Sequence, residues 1–120
     1  MKSKTTKTPV VDLAVTIARV TFSTPVWTAS GTAGTGEEVS NWCDTTKLGA
    51  MVTKSVSLEP RPGHPFPRTC ETAGGMLNAI GLQNKGVEAF IADELPRLRT
   101  MKTRVVVNIV GHSQEDYVGM

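Results

Sequence analysis

The stretch AMVTKSV, residues 50–56, decides the fold that we predict for this chain. Its apolar and β-branched residues are typical of a strand that a sheet buries on both faces. Lys54 would be expensive to bury inside such a sheet. At the carboxyl end of a parallel strand, the same lysine would lie where α/β proteins build their sites. Alternatively, Lys54 lies on a sheet edge and extends its ammonium group to solvent.

Two other predicted strands also carry a polar residue near their carboxyl end. Ser30 ends the apolar stretch of residues 25–30, and Asn108 lies in the strongly apolar stretch of residues 104–111. The carboxyl ends of parallel strands meet at one edge of a sheet. Taken with Lys54, these positions favour a site over an isolated surface lysine.

The order of predicted elements is typical of an α/β fold with parallel strands. We expect one strand or a short hairpin over residues 13–22, and strands over residues 25–30, 50–56 and 104–111. Helices are expected over residues 37–47 and 86–98, with a further helix capped by Ser113. Strands that alternate with helices in this way are usually parallel and joined by crossovers. A long connection joins the strand at residues 50–56 to the helix at residues 86–98. Its four prolines exclude a helix or a central strand there: Pro60, Pro62, Pro65 and Pro67.

The segment MLNAIGLQN, residues 76–84, is too apolar for an ordinary surface loop. It follows Gly74 and Gly75, and glycines allow a backbone to approach another group closely. Asn78 offers a hydrogen-bond donor and an acceptor, which suits a planar polar ligand such as a nucleobase or a flavin. The alternative is a tight connection whose asparagines bind their own backbone.

Composition excludes several classes of function. A chain of 120 residues with a net charge of +2 is sized for one soluble domain, and no basic stripe supports nucleic-acid binding. Cys43 and Cys70 have no metal-ligand spacing, and we expect Cys43 in the core. For that reason we also expect no metal. No stretch is apolar enough to cross a membrane or to form a signal sequence, so we expect a cytoplasmic protein. Residues 1–9 are expected to form a disordered tail.

Four stretches together resemble a known family. They are VTIARVTFSTPVWTASGTAG (residues 15–34), LGAMVTKSVSLEPRPGHPFPR (48–68), ETAGGMLNAIGLQNKGVEAFIADELPRL (71–98) and VVVNIVGHSQEDY (105–117). The chain resembles the class 1 dihydroorotate dehydrogenases from about Val10 to Met120, and most closely the subclass that pairs with an electron-transfer subunit. The resemblance implies that residues 10–120 are the N-terminal part of an FMN-binding (β/α)₈ TIM barrel, which is incomplete at 120 residues. It also implies oxidation of dihydroorotate to orotate in de novo pyrimidine (UMP) biosynthesis.

The resemblance assigns roles to individual positions. Ser30, Lys54, Ser55 and Asn108 resemble residues that contact FMN. The residues that resemble substrate contacts are Lys54, Asn78, Ala79, Ile80, Gly81 and Leu82. The catalytic base, a cysteine in this subclass, is expected beyond Met120, and Cys70 does not match it. We therefore expect no catalytic residue in this chain and no activity from the chain alone.

The resemblance also implies partners, and two other functions stay open. The partner would be a subunit that carries FAD and an iron–sulfur cluster and passes electrons to NAD, within a homo- or hetero-oligomer. One alternative is a related FMN-dependent dihydropyrimidine or dihydrouracil dehydrogenase, which acts on a base without a carboxylate. The other is a non-catalytic, truncated α/β fragment.

His64 is expected in an exposed loop.

Overall fold

The chain begins with an antiparallel hairpin. A computed structural model describes residues 11–120, so the predicted tail at residues 1–9 lies outside the described part of the chain. Strand β1 (Val15–Ile17) pairs with β2 (Val20–Phe22), as the hairpin alternative predicted. Phe22 is buried, and its ring lies 4.4 Å from that of Trp27. The hairpin thus packs against the start of the parallel strands.

The parallel arrangement predicted from the sequence is confirmed. Strand β3 (Ala50–Val52) pairs in parallel with β6 (Arg104–Val106), and Val56 pairs with Ile109 farther along. The predicted strand at residues 25–30 is reduced to one parallel bridge between Trp27 and Ala50. Its ladder stops because the hydroxyl of Thr28 accepts a hydrogen bond from the Val52 nitrogen at 2.8 Å. A side chain replaces the carbonyl that would have continued the strand.

The helix predicted over residues 37–47 is shorter than expected. Helix α1 covers Glu37–Ser40, and a separate 3₁₀ turn covers Thr45–Lys47. The Asp44 carboxylate accepts from the Thr46 hydroxyl and nitrogen, which caps the new turn and lowers the pKa of Asp44. Cys43 is exposed, so its predicted core position is wrong.

The helix predicted over residues 86–98 is confirmed in extent. It is built from α2 (Gly86–Ala89), a π-helical turn (Phe90–Glu94) and α3 (Leu95–Leu98). Pro96 cannot donate a backbone hydrogen bond, and its ring disfavours regular α-helix in the preceding turn. Phe90 and Leu98 form the core cluster with Val56. This helix therefore packs against the parallel strand pair.

The last helix, α4 (Gln114–Gly119), begins at the predicted N-cap. The Ser113 hydroxyl accepts from the Asp116 nitrogen, and the Asp116 carboxylate accepts from the Ser113 nitrogen. The His112 nitrogen donates to the same carboxylate at 2.7 Å and lowers the pKa of Asp116.

A second hairpin lies in the long connection that follows β3. Strand β4 (Thr69–Thr72) pairs antiparallel with β5 (Gly75–Asn78), and all eight residues are exposed. The sequence did not predict this hairpin, because it has no buried face and therefore no alternating pattern. Within residues 11–120, no helix has the length and apolarity needed to cross a membrane.

Candidate functional site

One cleft of about 520 Å³ collects most of the residues that the sequence singled out. Its volume lies in the usual range for small-molecule sites. The loop after Trp27, the end of β3 and the segment that begins at β5 all contribute to its walls. The lining residues are Ser30, Gly31, Thr32, Lys54, Ser55, Met76, Asn78, Ile80 and Leu82.

Lys54 supplies the single charge among these lining residues. The side chain is half-buried, and its backbone nitrogen donates to the Gly34 carbonyl at 3.1 Å. Across residues 11–120, no hydrogen bond or ion pair engages the Lys54 ammonium group. The cleft therefore presents a cation with unused donors, which suits an anionic ligand.

Lys54 and Ser55 also line an adjoining cleft of about 290 Å³. Asn84, Gly86 and Phe90 also line it. The two residues that follow β3 thus line both spaces.

Asn108 lies next to this pair and does not line the larger cleft. Its Nδ2 donates to the Ser55 hydroxyl at 2.6 Å, and its backbone nitrogen donates to the Thr53 hydroxyl at 3.3 Å. The contact joins the ends of two parallel strands, as the sequence predicted from their polar termini. It also orients the Ser55 hydroxyl toward a fixed partner.

The segment that follows β5 has two sides. Asn78, Ile80 and Leu82 line the cleft, whereas Ala79 and Gly81 do not. The Ala79 nitrogen donates to the Arg68 carbonyl at 2.9 Å, and Gly81 lies against His64. Over residues 78–80 the division follows a period of two, because alternate residues of an extended backbone face opposite ways. The substrate roles predicted for Ala79 and Gly81 stay predictions.

Two consecutive residues of this segment have left-handed backbone conformations. Gly81 has φ +79° and Leu82 has φ +54°. The first is easy for glycine, whereas the second is unfavourable for a leucine and needs support from its surroundings. Asn84 gives that support by donating its Nδ2 to the Leu82 carbonyl at 2.9 Å.

Asn84 acts as a structural residue, in contrast to Asn78. Its Oδ1 accepts from the backbone nitrogens of Ser57 and Gly86 at 3.2 and 2.9 Å. Its Nδ2 donates to the Ser57 hydroxyl at 2.8 Å, and that hydroxyl donates onward to the Glu59 carbonyl. Within the described part of the chain, no such bond engages the Asn78 side chain. The interpretation that asparagines bind their own backbone thus holds for Asn84.

Two residues that the sequence did not single out support this segment on the side away from the cleft: Arg68 and His64. Arg68 donates to the Gln83 side-chain oxygen at 2.7 Å, and its guanidinium lies 4.5 Å from the centre of the Phe66 ring. His64 is exposed, as predicted, yet both its backbone and its ring contact the segment. The sequence signal for Arg68 was its position two residues after Phe66, which allows a cation–π contact. For His64 the sequence held no signal.

The described residues, 11–120, hold no cluster of three or more histidine, cysteine or acidic side chains that could bind a metal ion.

The parallel strands and the helices packed on them define an α/β protein. The polar residues at the strand ends line a cleft with one cation, which is a candidate site for a small, hydrogen-bonding anion. A family model described as dihydroorotate dehydrogenase matches residues 12–120. The chain belongs to this family.

Curated relatives agree with this assignment. The catalytic subunit of dihydroorotate dehydrogenase B (NAD(+)) from Geotalea daltonii is 54% identical over 106 residues, which cover 88% of this chain and 35% of that protein. The protein of the same name from Lachnoclostridium phytofermentans is 56% identical over 104 residues, again 35% of its length. The chain thus spans about a third of the length of these relatives.

A solved structure shows the same fold. The dihydroorotate dehydrogenase of Eimeria tenella, crystallised with ferulenol, superposes with a TM-score of 0.60 at 22% identity. The match covers 88% of this chain and 32% of that protein.

Proposed function

We propose that the chain is the N-terminal part of an FMN-binding (β/α)₈ barrel, and that the intact protein oxidises dihydroorotate to orotate in pyrimidine biosynthesis. One observation carries the proposal: Ser30, Lys54, Ser55 and Asn78 come from three separate stretches and line a single cleft. Membership of the dihydroorotate dehydrogenase family supports the same reaction.

The polar groups of the cleft match the functional groups of the substrate. Orotate and dihydroorotate carry a carboxylate, and the Lys54 ammonium is the one cation that lines the cleft. Their ring presents amide donors and acceptors, and Asn78 offers both kinds of group. Ile80 and Leu82 supply apolar surface for a planar ring. The charge and the amide together select a pyrimidine with a carboxylate.

The residues at the strand ends also fit a flavin. Ser30, Lys54, Ser55 and Asn108 would hold FMN through hydroxyl, ammonium and amide groups, which suit the polar edge of an isoalloxazine ring. FMN supplies the capacity to accept a hydride. The chain's own contribution is to place the substrate through Lys54 and Asn78 and to fix the Ser55 hydroxyl against Asn108. We propose that a residue beyond Met120 removes the substrate proton.

Exposed apolar residues at the strand ends support the barrel proposal. Ile109 is 45% exposed although it lies in the parallel ladder beside Val56. A complete barrel adds further strands and helices next to this edge. Those elements would cover Ile109, which agrees with the third of the relatives' length that the chain spans. We expect the 120-residue chain alone to lack activity.

The names of the relatives support the proposal of a partner subunit. Both are catalytic subunits of a dihydroorotate dehydrogenase B that uses NAD(+). We propose that the intact protein likewise assembles with a subunit that carries FAD and an iron–sulfur cluster, and that this complex reduces NAD in the cytoplasm.

The test is a substrate comparison with the full-length protein, purified with its flavin. Dihydroorotate should be oxidised to orotate, whereas dihydrouracil, which lacks the carboxylate, should react at least about tenfold more slowly, since a charge-assisted contact is lost. Faster reaction with dihydrouracil would establish the dihydropyrimidine dehydrogenase alternative. Absence of bound flavin and of both reactions would establish a non-catalytic protein.

A further inference from the structure

The proline-rich loop holds the segment of residues 78–82 through His64. The backbone nitrogen of His64 donates to the Ile80 carbonyl at 3.0 Å. The ring Nδ1 lies 2.9 Å from the Ala79 carbonyl oxygen. Since a carbonyl oxygen only accepts, Nδ1 carries the hydrogen in this contact. One residue thus contacts two consecutive carbonyls of the segment.

Two glycines make this contact close. A Cβ at Gly81 would lie 2.9 Å from the His64 nitrogen and 3.1 Å from two ring atoms. A Cβ at Gly63 would overlap the Ile80 carbonyl oxygen. Both glycines also have left-handed backbones, with φ +77° at Gly63 and +79° at Gly81. The two stretches of backbone therefore lie too close together to admit a side chain at either glycine.

Ala79 links this contact to the cleft through its two neighbours in the chain. Its nitrogen is held by the Arg68 carbonyl and its oxygen by the His64 ring. Its neighbours on either side, Asn78 and Ile80, both line the cleft. Of the two bonds to Ala79, only the one from His64 depends on the identity of a side chain.

We propose that His64 is a positioning residue for the pyrimidine: its Nδ1–H fixes the Ala79 carbonyl and thereby the direction in which Asn78 enters the cleft. The proposal rests on the proposed function, because it takes the ligand of the cleft to be orotate or dihydroorotate. His64 does not line the cleft and acts through the backbone of Ala79. Its loss should therefore change substrate affinity more than turnover.

The test compares His64→Ala with His64→Asn in the full-length flavoprotein. Asparagine Nδ2 can take the place of histidine Nδ1 and keep a donor for the Ala79 carbonyl, whereas alanine removes it. His64→Ala should raise the orotate Kd and the KM for dihydroorotate about fivefold, the usual effect of one hydrogen bond. We expect kcat and flavin content to stay within about twofold of the wild type, since the strand-end residues are unchanged. His64→Asn should recover most of the affinity.

His112→Ala is the matched control. His112 is the other histidine of the chain; its Nε2 contacts Arg61 at 2.8 Å, and it does not line the cleft. This variant should keep the wild-type orotate Kd. If His64→Ala does not yield folded protein, His64→Leu keeps bulk without a donor and replaces it in the comparison with His64→Asn.

The possible results separate this inference from the proposed function. A wild-type protein that binds no orotate would overturn the proposed function. A wild-type protein that binds orotate, together with a His64→Ala variant of equal KM, would overturn the inference alone. Equal weakening by alanine and asparagine would also overturn it, because the donor would then have no role. So would a lower melting temperature with unchanged KM, which indicates a purely structural residue.

Discussion

Asn78 and Asn84 lie six positions apart in one segment, and the structure uses them in opposite ways. Asn84 binds Ser57, Gly86 and Leu82 through both ends of its amide. Asn78 lines the cleft, and none of the described residues forms a hydrogen bond with its side chain. Asn84 is half-buried and its amide is fully used, whereas Asn78 is exposed. An amide that the fold leaves unused beside a cleft is therefore available to a ligand.

The contrast shows that some residues of the segment stabilise its fold while others face the cleft. Its carboxyl end is fixed to the end of β3 through Ser57, and its back is fixed to the proline-rich loop through Ala79. Those contacts hold Leu82 in an unfavourable backbone conformation. The remaining side chains are presented to the cleft in a defined orientation. Binding residues placed on a rigid support lose less entropy when the ligand arrives.

Asn84→Ala should have the largest effect, and it should act on stability. The change leaves the Ser57 and Gly86 nitrogens without their acceptor, and both residues are buried. We expect the free energy of unfolding to fall by about 2–3 kcal/mol. Urea denaturation of the full-length protein measures this change. Asn78→Ala is the matched control, and its stability should stay within about 0.5 kcal/mol of the wild type. Equal stability losses at the two asparagines would remove the contrast.

Lys54→Ala should have the next largest effect, and it should act on binding. Removal of the one cation of the cleft leaves the substrate carboxylate without its partner, which costs about 1.5–3 kcal/mol. The orotate Kd should rise by about tenfold to 150-fold, as isothermal titration can measure.

Lys47→Ala is the control for this variant, because Lys47 is an exposed lysine at the end of the 3₁₀ turn. Its orotate Kd should equal that of the wild type. If kcat/KM for dihydroorotate were the same in Lys54→Ala and wild type, the assignment of Lys54 to the substrate would be wrong.

Asn78→Ala should have the smallest effect on binding. Loss of one neutral hydrogen-bonding group should raise the orotate Kd about fivefold, since such bonds contribute about 1 kcal/mol. Flavin content should not change, because Asn78 is predicted to face the substrate. The measurement is an orotate titration beside a flavin-to-protein ratio. Loss of flavin with orotate affinity intact would mean that Asn78 faces the cofactor.

The sequence predicted the elements whose burial leaves a periodic pattern. The parallel strands around Met51 and Val105 are apolar runs, and the helix of Phe90 and Leu98 has an apolar face. Ser113, the predicted N-cap, caps α4 together with Asp116. Polar residues at strand ends also predicted that Lys54 and Ser30 would meet, since parallel strands end at one edge.

The elements that the sequence did not predict depend on contacts between distant residues. At Gly49 a Cβ would overlap the Thr24 carbonyl oxygen, so this glycine allows a close approach of two stretches that are distant in sequence. The exposed hairpin around Cys70 buries no face and has no periodic signal. The division between Asn78 and Asn84 was also not predictable, because it depends on Ser57, which lies 27 positions before Asn84.

A crystal structure of the full-length flavoprotein with orotate tests the central claim most directly. We expect the Lys54 ammonium to contact the orotate carboxylate, the Asn78 amide to contact the ring, and Asn84 to keep its bonds to Ser57 and Gly86. Orotate bound away from this cleft, or held by Asn84 with Asn78 turned to solvent, would contradict it.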